Sequence, residues 1–167
     1  ILVTHDQEEA FSMADRIGVM DRARLQEVGE ARSLYRKPAT RFVATFLGAA
    51  NLLLGNYDNR TVRVGESRLP MDRRSLSLCK GDETTVIVRP EDIELAPRKD
   101  YLTTNPIGIG VVAEIQFVGS IERLRLTMES GESLRSALKP AATTFLLDAA
   151  RTASEAEKFP ISRHQRV

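Results

Sequence analysis

Two kinds of side chain in this sequence could act on a negatively charged group. His5 follows the apolar and β-branched run 1–4 and precedes Asp6, at the predicted start of a helix. An imidazole in such a place can donate a hydrogen bond to a developing negative charge in a dry site. Arg123 and Arg125 alternate along a predicted strand, where two guanidinium groups could bind an oxyanion.

Each of these candidates also has a plainer interpretation. His5 lies close to the start of the chain, where a polar residue often does no more than face water. Arg123 and Arg125 fit the solvated face of a one-sided sheet, and we prefer that interpretation because alternating charges are what such a face ordinarily shows. Which interpretation applies depends on the elements that position these residues.

Composition limits the classes of partner. The 167 residues carry 24 Lys plus Arg against 23 Asp plus Glu, so no global field attracts nucleic acid or an anionic membrane. Aromatic residues make up 5% of the chain, and Tyr35 and Tyr57 are too isolated to stack bases, which argues against a nucleic-acid interface. The single cysteine, Cys79, is interpreted as a small hydrophobe, and the absence of paired Cys or His spacing predicts no metal site.

The sequence contains no run of about 18 apolar residues, so we expect no direct membrane insertion and any membrane association to go through a partner. The first residues lack the basic segment, longer apolar core and small-residue cleavage site of a secretory signal. They are typical instead of an interior strand that enters a helix. We expect the chain to begin inside a domain and to work in a reducing cytoplasm.

The first 48 residues have α/β character. Asp6 is predicted to cap a helix that ends near Arg16, followed by short strands at 17–20 and 25–28. A helix is predicted over 31–36, and another follows a cap at Thr40. The buried face of the first helix is predicted from Ala10, Met13, Ala14 and Ile17, and a core stripe of the last one from Phe42, Val43, Phe46 and Leu47, before the stop at Gly48.

Beyond Asn51 apolar and polar residues alternate, as in strands, and residues typical of turns recur. Residues 107–117 are predicted to bury Ile107, Ile109, Val111, Ala113, Ile115 and Phe117 on one face. After Gly119, apolar residues at 124, 126 and 128 alternate with Arg123, Arg125 and Thr127. Arg89-Pro90-Glu91 is interpreted as a structural corner with a possible ion pair, because proline ends a strand. Several short strands of this kind predict a small barrel, with weak order after Pro140.

The opening segment resembles the switch-histidine region of ABC transporter ATPases. The resemblance is carried by Val3-Thr-His-Asp-Gln-Glu-Glu-Ala10 and Ala14-Asp-Arg-Ile17, and it continues through Val19-Met-Asp-Arg22, Gln26-Glu-Val-Gly29 and Phe46-Leu-Gly48. Val86-Ile-Val-Arg-Pro-Glu91 and Phe117-Val-Gly-Ser120 resemble the transport-associated OB (TOBE) domain of importers in the same family. The resemblance covers residues 1 to about 138 and is poor beyond.

This resemblance implies a mainly β fold, in which an OB-like β-barrel regulatory domain follows an α/β remnant of the ATPase domain. The expected boundaries are 1–48 for the remnant, 49–138 for the OB-like domain and 139–167 for a weakly ordered or atypical segment. The family usually ends in one more strand and a Pro-rich closing segment, which Pro140-Ala-Ala-Thr-Thr-Phe-Leu-Leu-Asp148 does not match. Closure of the β domain is therefore in question.

The resemblance also implies a function. His5 would be the switch histidine that contacts the γ-phosphate, with ATP and Mg as cofactors of an intact parent. The sequence has no G-x-x-x-x-G-K-[ST] loop, so we expect no cofactor and no hydrolysis from this chain as it stands. The implied partners are permease subunits and a second copy of the β domain, at the inner face of the cell membrane.

Two alternatives accompany this interpretation. The OB-like domain could instead sense a solute or oxyanion, for which Arg123 and Arg125 are the candidates, as related modules do in molybdate systems. Nucleic-acid binding would need a basic groove with interleaved aromatics, and the sequence offers none. The segment Gly48-Ala-Ala-Asn-Leu52 resembles the ion and polyamine branch more than the sugar branch.

Overall fold

The computed structural model describes residues 1–71, 79–131 and 134–167, and the chain divides into two units, Ile1–Ala50 and Asn51–Val167. The division falls two residues after the boundary expected at 48. The mainly β class predicted from the sequence is confirmed, and the several antiparallel sheets are consistent with a β-rich, OB-like domain.

The first unit combines three short helices with a hairpin. Its elements are α1 (Gln7–Met13), β1 (Ile17–Asp21), β2 (Arg24–Gly29), α2 (Ala31–Arg36) and α3 (Arg41–Phe46). The hairpin turns at Arg22 and Ala23, which both have positive φ, as a tight two-residue connection requires. The two strands and the helix over 31–36 predicted from the sequence are confirmed.

A single apolar cluster holds the first unit together. Val43 and Leu47 of the predicted stripe are buried, whereas Phe46 remains 40% exposed and stacks on Phe42. Thr40 Oγ1 accepts from the Val43 amide at 3.1 Å and caps α3, as predicted, a contact worth about 1 kcal/mol. The buried members of the cluster are Ile17, Val19, Leu34, Val43 and Leu47.

Helix α1 is shorter than predicted, and one residue of its predicted buried face was wrong. It ends at Met13 rather than near Arg16, because Ala14 is already extended. Met13 is 69% exposed, while Ala10, Ala14 and the unforeseen Phe11 pack against the cluster. A seven-residue helix buries only a narrow stripe, and Met13 lies outside it.

The described residues of the second unit form two antiparallel sheets. One contains β3 (Asn51–Asp58), β4 (Thr61–Val64), β5 (Ser67–Pro70) and β6 (Glu83–Val88) in the order β5-β4-β3-β6, with the short β9 (Arg135–Ser136) also paired to β3. The other contains β7 (Gly110–Val118), β8 (Ile121–Glu129) and β10 (Thr144–Thr152) in the order β10-β8-β7. Helix α4 (Ala153–Lys158) follows, and single 3-10 turns occupy Pro90–Asp92 and Lys99–Tyr101.

Both sheets contribute to one core. Leu53, Val62 and Val64 come from the first sheet, and Val112 and Leu124 from the second. Gly65 lies at the β4–β5 turn with φ +59, and a Cβ there would lie 1.7 Å from the Ile107 carbonyl oxygen, so only glycine fits. The remaining buried members of the core are Leu126, Met128, Leu134, Phe145, Leu147 and Ile161.

The buried face predicted for 107–117 was wrong at several positions. Val112 is fully buried, whereas Ile109, Val111 and Phe117 are 61%, 38% and 69% exposed. The register of β7 against β8 shifts between Val112 and Glu114, which places a bulge at Ala113. A bulge exchanges the two faces of a strand, so no single alternation can describe the whole segment.

The alternation predicted for β8 is confirmed. Leu124, Leu126 and Met128 are each 2% exposed, and Arg123 and Arg125 point to the opposite, solvent face. Here the sequence pattern is unambiguous, because each apolar residue is flanked by polar ones.

The structure of residues 139–167 differs from the weak order expected there. Residues 144–152 form β10, which pairs with β8 along its whole length and buries Phe145, Leu147, Ala149 and Arg151. The last residues then lie along the edge of β7, where Gly110 exchanges two 2.9 Å hydrogen bonds with Val167. The sequence did not predict this strand because its alternation is irregular: the charged Arg151 lies on the inner face and the apolar Leu146 on the outer one.

Asn51 links the two sheets. Its amide nitrogen donates to the Asp148 carbonyl at 2.7 Å, and its amide oxygen accepts from the Asp148 backbone N–H at 2.8 Å. Asn51 is 7% exposed and also donates to the Val88 carbonyl at 3.3 Å. One buried amide therefore satisfies the outer edge of β10 and attaches it to β3.

Candidate functional site

His5 lies at an exposed bend directly before α1. The bend is fixed by its neighbours, because the Asp6 carboxylate accepts from the amides of Glu8 and Glu9 at 2.8 and 3.2 Å. The Asp6 amide in turn donates to Thr4 Oγ1 at 3.0 Å, and Gln7 donates to the Phe46 carbonyl. The backbone on either side of His5 is thus held, and its imidazole is open to solvent.

The surroundings of His5 could provide one of the contacts that an ATP site needs. The His5 imidazole could donate one hydrogen bond to a phosphate oxygen, since it is exposed at the start of a capped helix. A phosphate site also needs a loop of backbone amides with a lysine, and a hydroxyl with a carboxylate for magnesium. The hydroxyl and carboxylate that flank His5, those of Thr4 and Asp6, accept hydrogen bonds from the backbone at the start of α1, and the sequence contains no phosphate-binding loop.

Arg125, one of the two oxyanion candidates, is already engaged by two carboxylates. Its Nε donates to Asp148 Oδ1 at 2.9 Å, and its NH1 lies 3.4 Å from Glu114 Oε2. The hydrogen bond to Asp148, helped by the charges of Asp148 and Glu114, raises the pKa of Arg125 against the opposing effect of desolvation. An approaching anion would meet both carboxylates at this guanidinium.

Arg123 is exposed on the same face, paired in register with Gln116 and Ala150. The structure therefore brings Arg123 and Arg125 to one face of β8 and places His5 in the other unit. The rows of this outer face run Glu114–Arg125–Asp148 and Gln116–Arg123–Ala150 across the three strands.

A shielded ion pair on the inner face of the same sheet was not predicted from the sequence. Arg151 NH2 lies 2.6 Å from Glu122 Oε2, and the side chains are only 8% and 16% exposed. Arg151 NH1 also donates to the Phe159 carbonyl at 2.7 Å, which ties the segment after α4 to the sheet. Strand alternation could have placed Glu122 on this face, because it lies between the exposed Ile121 and Arg123.

A pair of arginines on the other sheet was also missed. Arg63 on β4 and Arg68 on β5 are directly opposite in register, and both are exposed. Asn56 on β3 is the next residue along the same row. The alternation of Val62, Arg63 and Val64 before the turn at Gly65 was the signal that could have revealed this hairpin.

Two smaller expectations have opposite outcomes. Cys79 was expected to be a small hydrophobe, but it is exposed, so that interpretation was wrong. Arg89 is extended at φ −77° and ψ 146°, is only 3% exposed and precedes the 3-10 turn Pro90–Asp92, which confirms the structural corner. No helix among the described residues is long and apolar enough to cross a bilayer.

Comparison with known proteins gives the family context. No family model matches the sequence. The chain is 38% identical over 143 residues to the sulfate/thiosulfate import ATP-binding protein CysA 2 of Chromobacterium violaceum, an alignment of 84% of this chain and 38% of the relative. Over 161 residues, 96% of the chain, it is 32% identical to the spermidine/putrescine import ATP-binding protein PotA of Bacillus thuringiensis subsp. konkukian, and covers 37% of that protein.

The homologues are ATP-binding subunits of ABC importers. A further relative, the spermidine/putrescine import ATP-binding protein PotA of Onion yellows phytoplasma, is 34% identical over 127 residues, 71% of this chain and 27% of the relative. The chain thus spans 27% to 38% of the length of these curated relatives. The similarity supports the family context that the switch-histidine segment indicated.

Proposed function

We propose that this chain is the C-terminal part of the ATP-hydrolysing subunit of an ABC importer, and that its second unit is the TOBE-type regulatory domain. The observation that carries the proposal is the alignment of 96% of the chain, through both units, with an import ATP-binding protein. The mainly β second unit, with two antiparallel sheets around one core, is consistent with such a domain.

In this proposal the intact subunit binds ATP and Mg, and His5 contacts the γ-phosphate as the switch histidine. An exposed imidazole on a capped helix start is suitably placed for that contact. The phosphate-binding loop and the magnesium ligands would come from the rest of the subunit. The partners would be transmembrane permease subunits at the inner face of the membrane, and the β domain would also form a homodimer.

The relatives named above import sulfate and thiosulfate or spermidine and putrescine. We infer a solute of the ion or polyamine type, in agreement with the segment 48–52. The alternative, an oxyanion-sensing module, has less support at Arg123 and Arg125, since Asp148 and Glu114 already engage the second of these. Calorimetric titration of the chain with sulfate, molybdate and spermidine tests it, and saturable binding would restore that alternative.

The decisive test uses the two histidines of the chain. The DNA upstream of codon 1 should encode a phosphate-binding loop in frame, and the whole subunit should hydrolyse ATP. His5→Ala should then lower the turnover number about 100-fold or more, as expected for the loss of a donor to transition-state charge. His164→Ala is the matched control, because His164 is exposed in the second unit.

Lack of an upstream phosphate-binding loop, or equal activity of the His5→Ala and His164→Ala variants, would contradict the proposal. Light scattering over a range of concentrations tests the dimer separately. A strict monomer of the whole subunit at every concentration would remove the dimer role.

A further inference from the structure

Two arginines, Arg63 on β4 and Arg68 on β5, lie directly opposite each other on adjacent strands, a position in which like charges repel. Gly65 and Glu66 form the two-residue turn, so Val64 and Ser67 make the first hydrogen-bonded pair. Arg63 and Arg68 follow as the next, non-hydrogen-bonded pair, in which opposite side chains approach most closely. Their Cβ atoms lie about 4.5–5.5 Å apart, and like charges at that position destabilise a sheet.

Both guanidinium groups point away from the protein core. Val62 and Val64, on either side of Arg63, are 5% and 0% exposed and belong to the core, so Arg63 must face solvent. Arg68 is exposed on the neighbouring strand, between the buried Ser67 and the half-buried Leu69. Asn56, opposite Arg63 on β3, adds a side-chain amide to the same row.

Three carboxylates around this row, including that of Glu83, which lies opposite Asn56 on β6, pair with other cations. Glu83 pairs with Arg135, Asp58 lies 3.3 Å from Lys80, and Glu66 lies 3.0 Å from Lys99. Among the described residues no ion pair joins a carboxylate to Arg63 or Arg68. The row therefore carries two positive charges that the described part of the fold does not neutralise.

We propose that Arg63 and Arg68, with Asn56 beside them, form a docking surface for an acidic segment of a protein partner. Guanidinium groups bind carboxylates through paired hydrogen bonds, and an acidic segment can engage both arginines along the row at once. A free anion on this open strand face would keep much of its hydration and bind weakly. None of the three residues of this surface is aromatic, so bases would have no ring to stack on, which disfavours single-stranded nucleic acid.

The proposal goes beyond the transport role above and does not depend on it. The test uses the whole chain and a fluorescein-labelled hexaglutamate peptide, followed by fluorescence anisotropy at low salt. Arg63→Gln/Arg68→Gln should weaken binding about fivefold, the combined effect of two exposed charge contacts. The matched control Arg98→Gln/Arg163→Gln removes the same charge from two exposed arginines and should stay within about twofold of the parent.

Thermal unfolding of the same proteins gives a second readout. Because the two arginines repel each other, Arg63→Gln/Arg68→Gln should leave the melting temperature unchanged or raise it. Arg68→Glu should raise the melting temperature, since it creates a cross-strand ion pair with Arg63, and should weaken peptide binding more than the double Gln variant.

Several results would overturn the proposal: no binding of the peptide by the parent, equal weakening by the control, or a lower melting temperature in the Gln and Glu variants. Sodium sulfate and a labelled hexathymidine oligonucleotide are measured in parallel. Tighter binding of either than of the peptide, through Arg63 and Arg68, would assign the surface to a free ion or to nucleic acid instead.

Discussion

The arginines of the two sheets in the second unit differ in whether they have carboxylate partners. On β7, β8 and β10, Arg151 is shielded with Glu122, and Arg125 bridges Asp148 and Glu114. On β4 and β5, Arg63 and Arg68 face each other across the strands without a carboxylate among the described residues. In the first arrangement the arginines form ion pairs within the protein, whereas in the second they can bind carboxylates of a partner. Stability should therefore respond more to substitutions of the charged residues on β7, β8 and β10 than to those of Arg63 and Arg68.

The largest effect is expected at the shielded pair. Glu122→Gln would leave the Arg151 charge, 8% exposed, without its counter-charge, and should lower the free energy of unfolding by about 3 kcal/mol. Urea denaturation measures this change. Glu129→Gln is the control on the same strand, because Glu129 is exposed.

A double variant separates the ion pair from simple packing. Glu122→Leu/Arg151→Met removes both charges together and should recover most of the stability lost in Glu122→Gln. Equal loss in the Glu122→Gln and Glu129→Gln variants would show that the charge pair does not distinguish the inner face of this sheet from its surface.

The second prediction tests the link between the sheets. Asn51→Ala would leave the backbone N–H and carbonyl of Asp148 without their buried partner, at a cost of about 2 kcal/mol. Asn56→Ala, on the same strand but half-buried, should cost less than about 1 kcal/mol. Hydrogen exchange of the Asp148 amide should accelerate in the first variant only, and an unchanged exchange rate would contradict the assigned bond.

These residues also show what the sequence could and could not predict. Strand β8 was predictable, because Leu124, Leu126 and Met128 are each separated by a polar residue. Strand β7 was not, since apolar residues occupy both faces and the bulge at Ala113 decides the register through contacts with β8. A bulge is selected by pairing with a neighbouring strand, and local alternation contains no information about it.

The charged residues show the same limit. Local sequence predicted that His5 precedes a capped helix, and the cap at Asp6 is present. The partners of Arg151 and Arg125 lie 29 and 23 residues away, and become neighbours only when β10 pairs with β8. Arg63 and Arg68 lie opposite each other because a two-residue turn joins their strands, and the sequence alone could have predicted this pairing.

A smaller effect is expected on the outer face of the same sheet. Arg125→Gln removes contacts to Asp148 and Glu114, but the side chain is 44% exposed and water screens the charges. The loss should be about 0.5 kcal/mol and should shrink at high salt. Arg123→Gln is the neighbouring control. A loss as large as that of Glu122→Gln would erase the distinction between the two faces.

The smallest effect is a pH dependence at the end of β10. Hydrogen bonds from the Thr152 backbone and hydroxyl lower the pKa of Glu155 below its ordinary value, as part of the capping box that starts α4. A carboxyl whose pKa is lower in the folded state stabilises the fold above its unfolded pKa, and this contribution is lost as the pH falls through the folded value. Stability measured by urea denaturation should therefore decrease slightly more steeply below about pH 4.5 in the parent than in Glu155→Gln. Glu157→Gln, exposed on the same helix, should keep the parent's slope. If Glu155→Gln also keeps the parent's slope, the capping box does not hold α4 against β10 in solution.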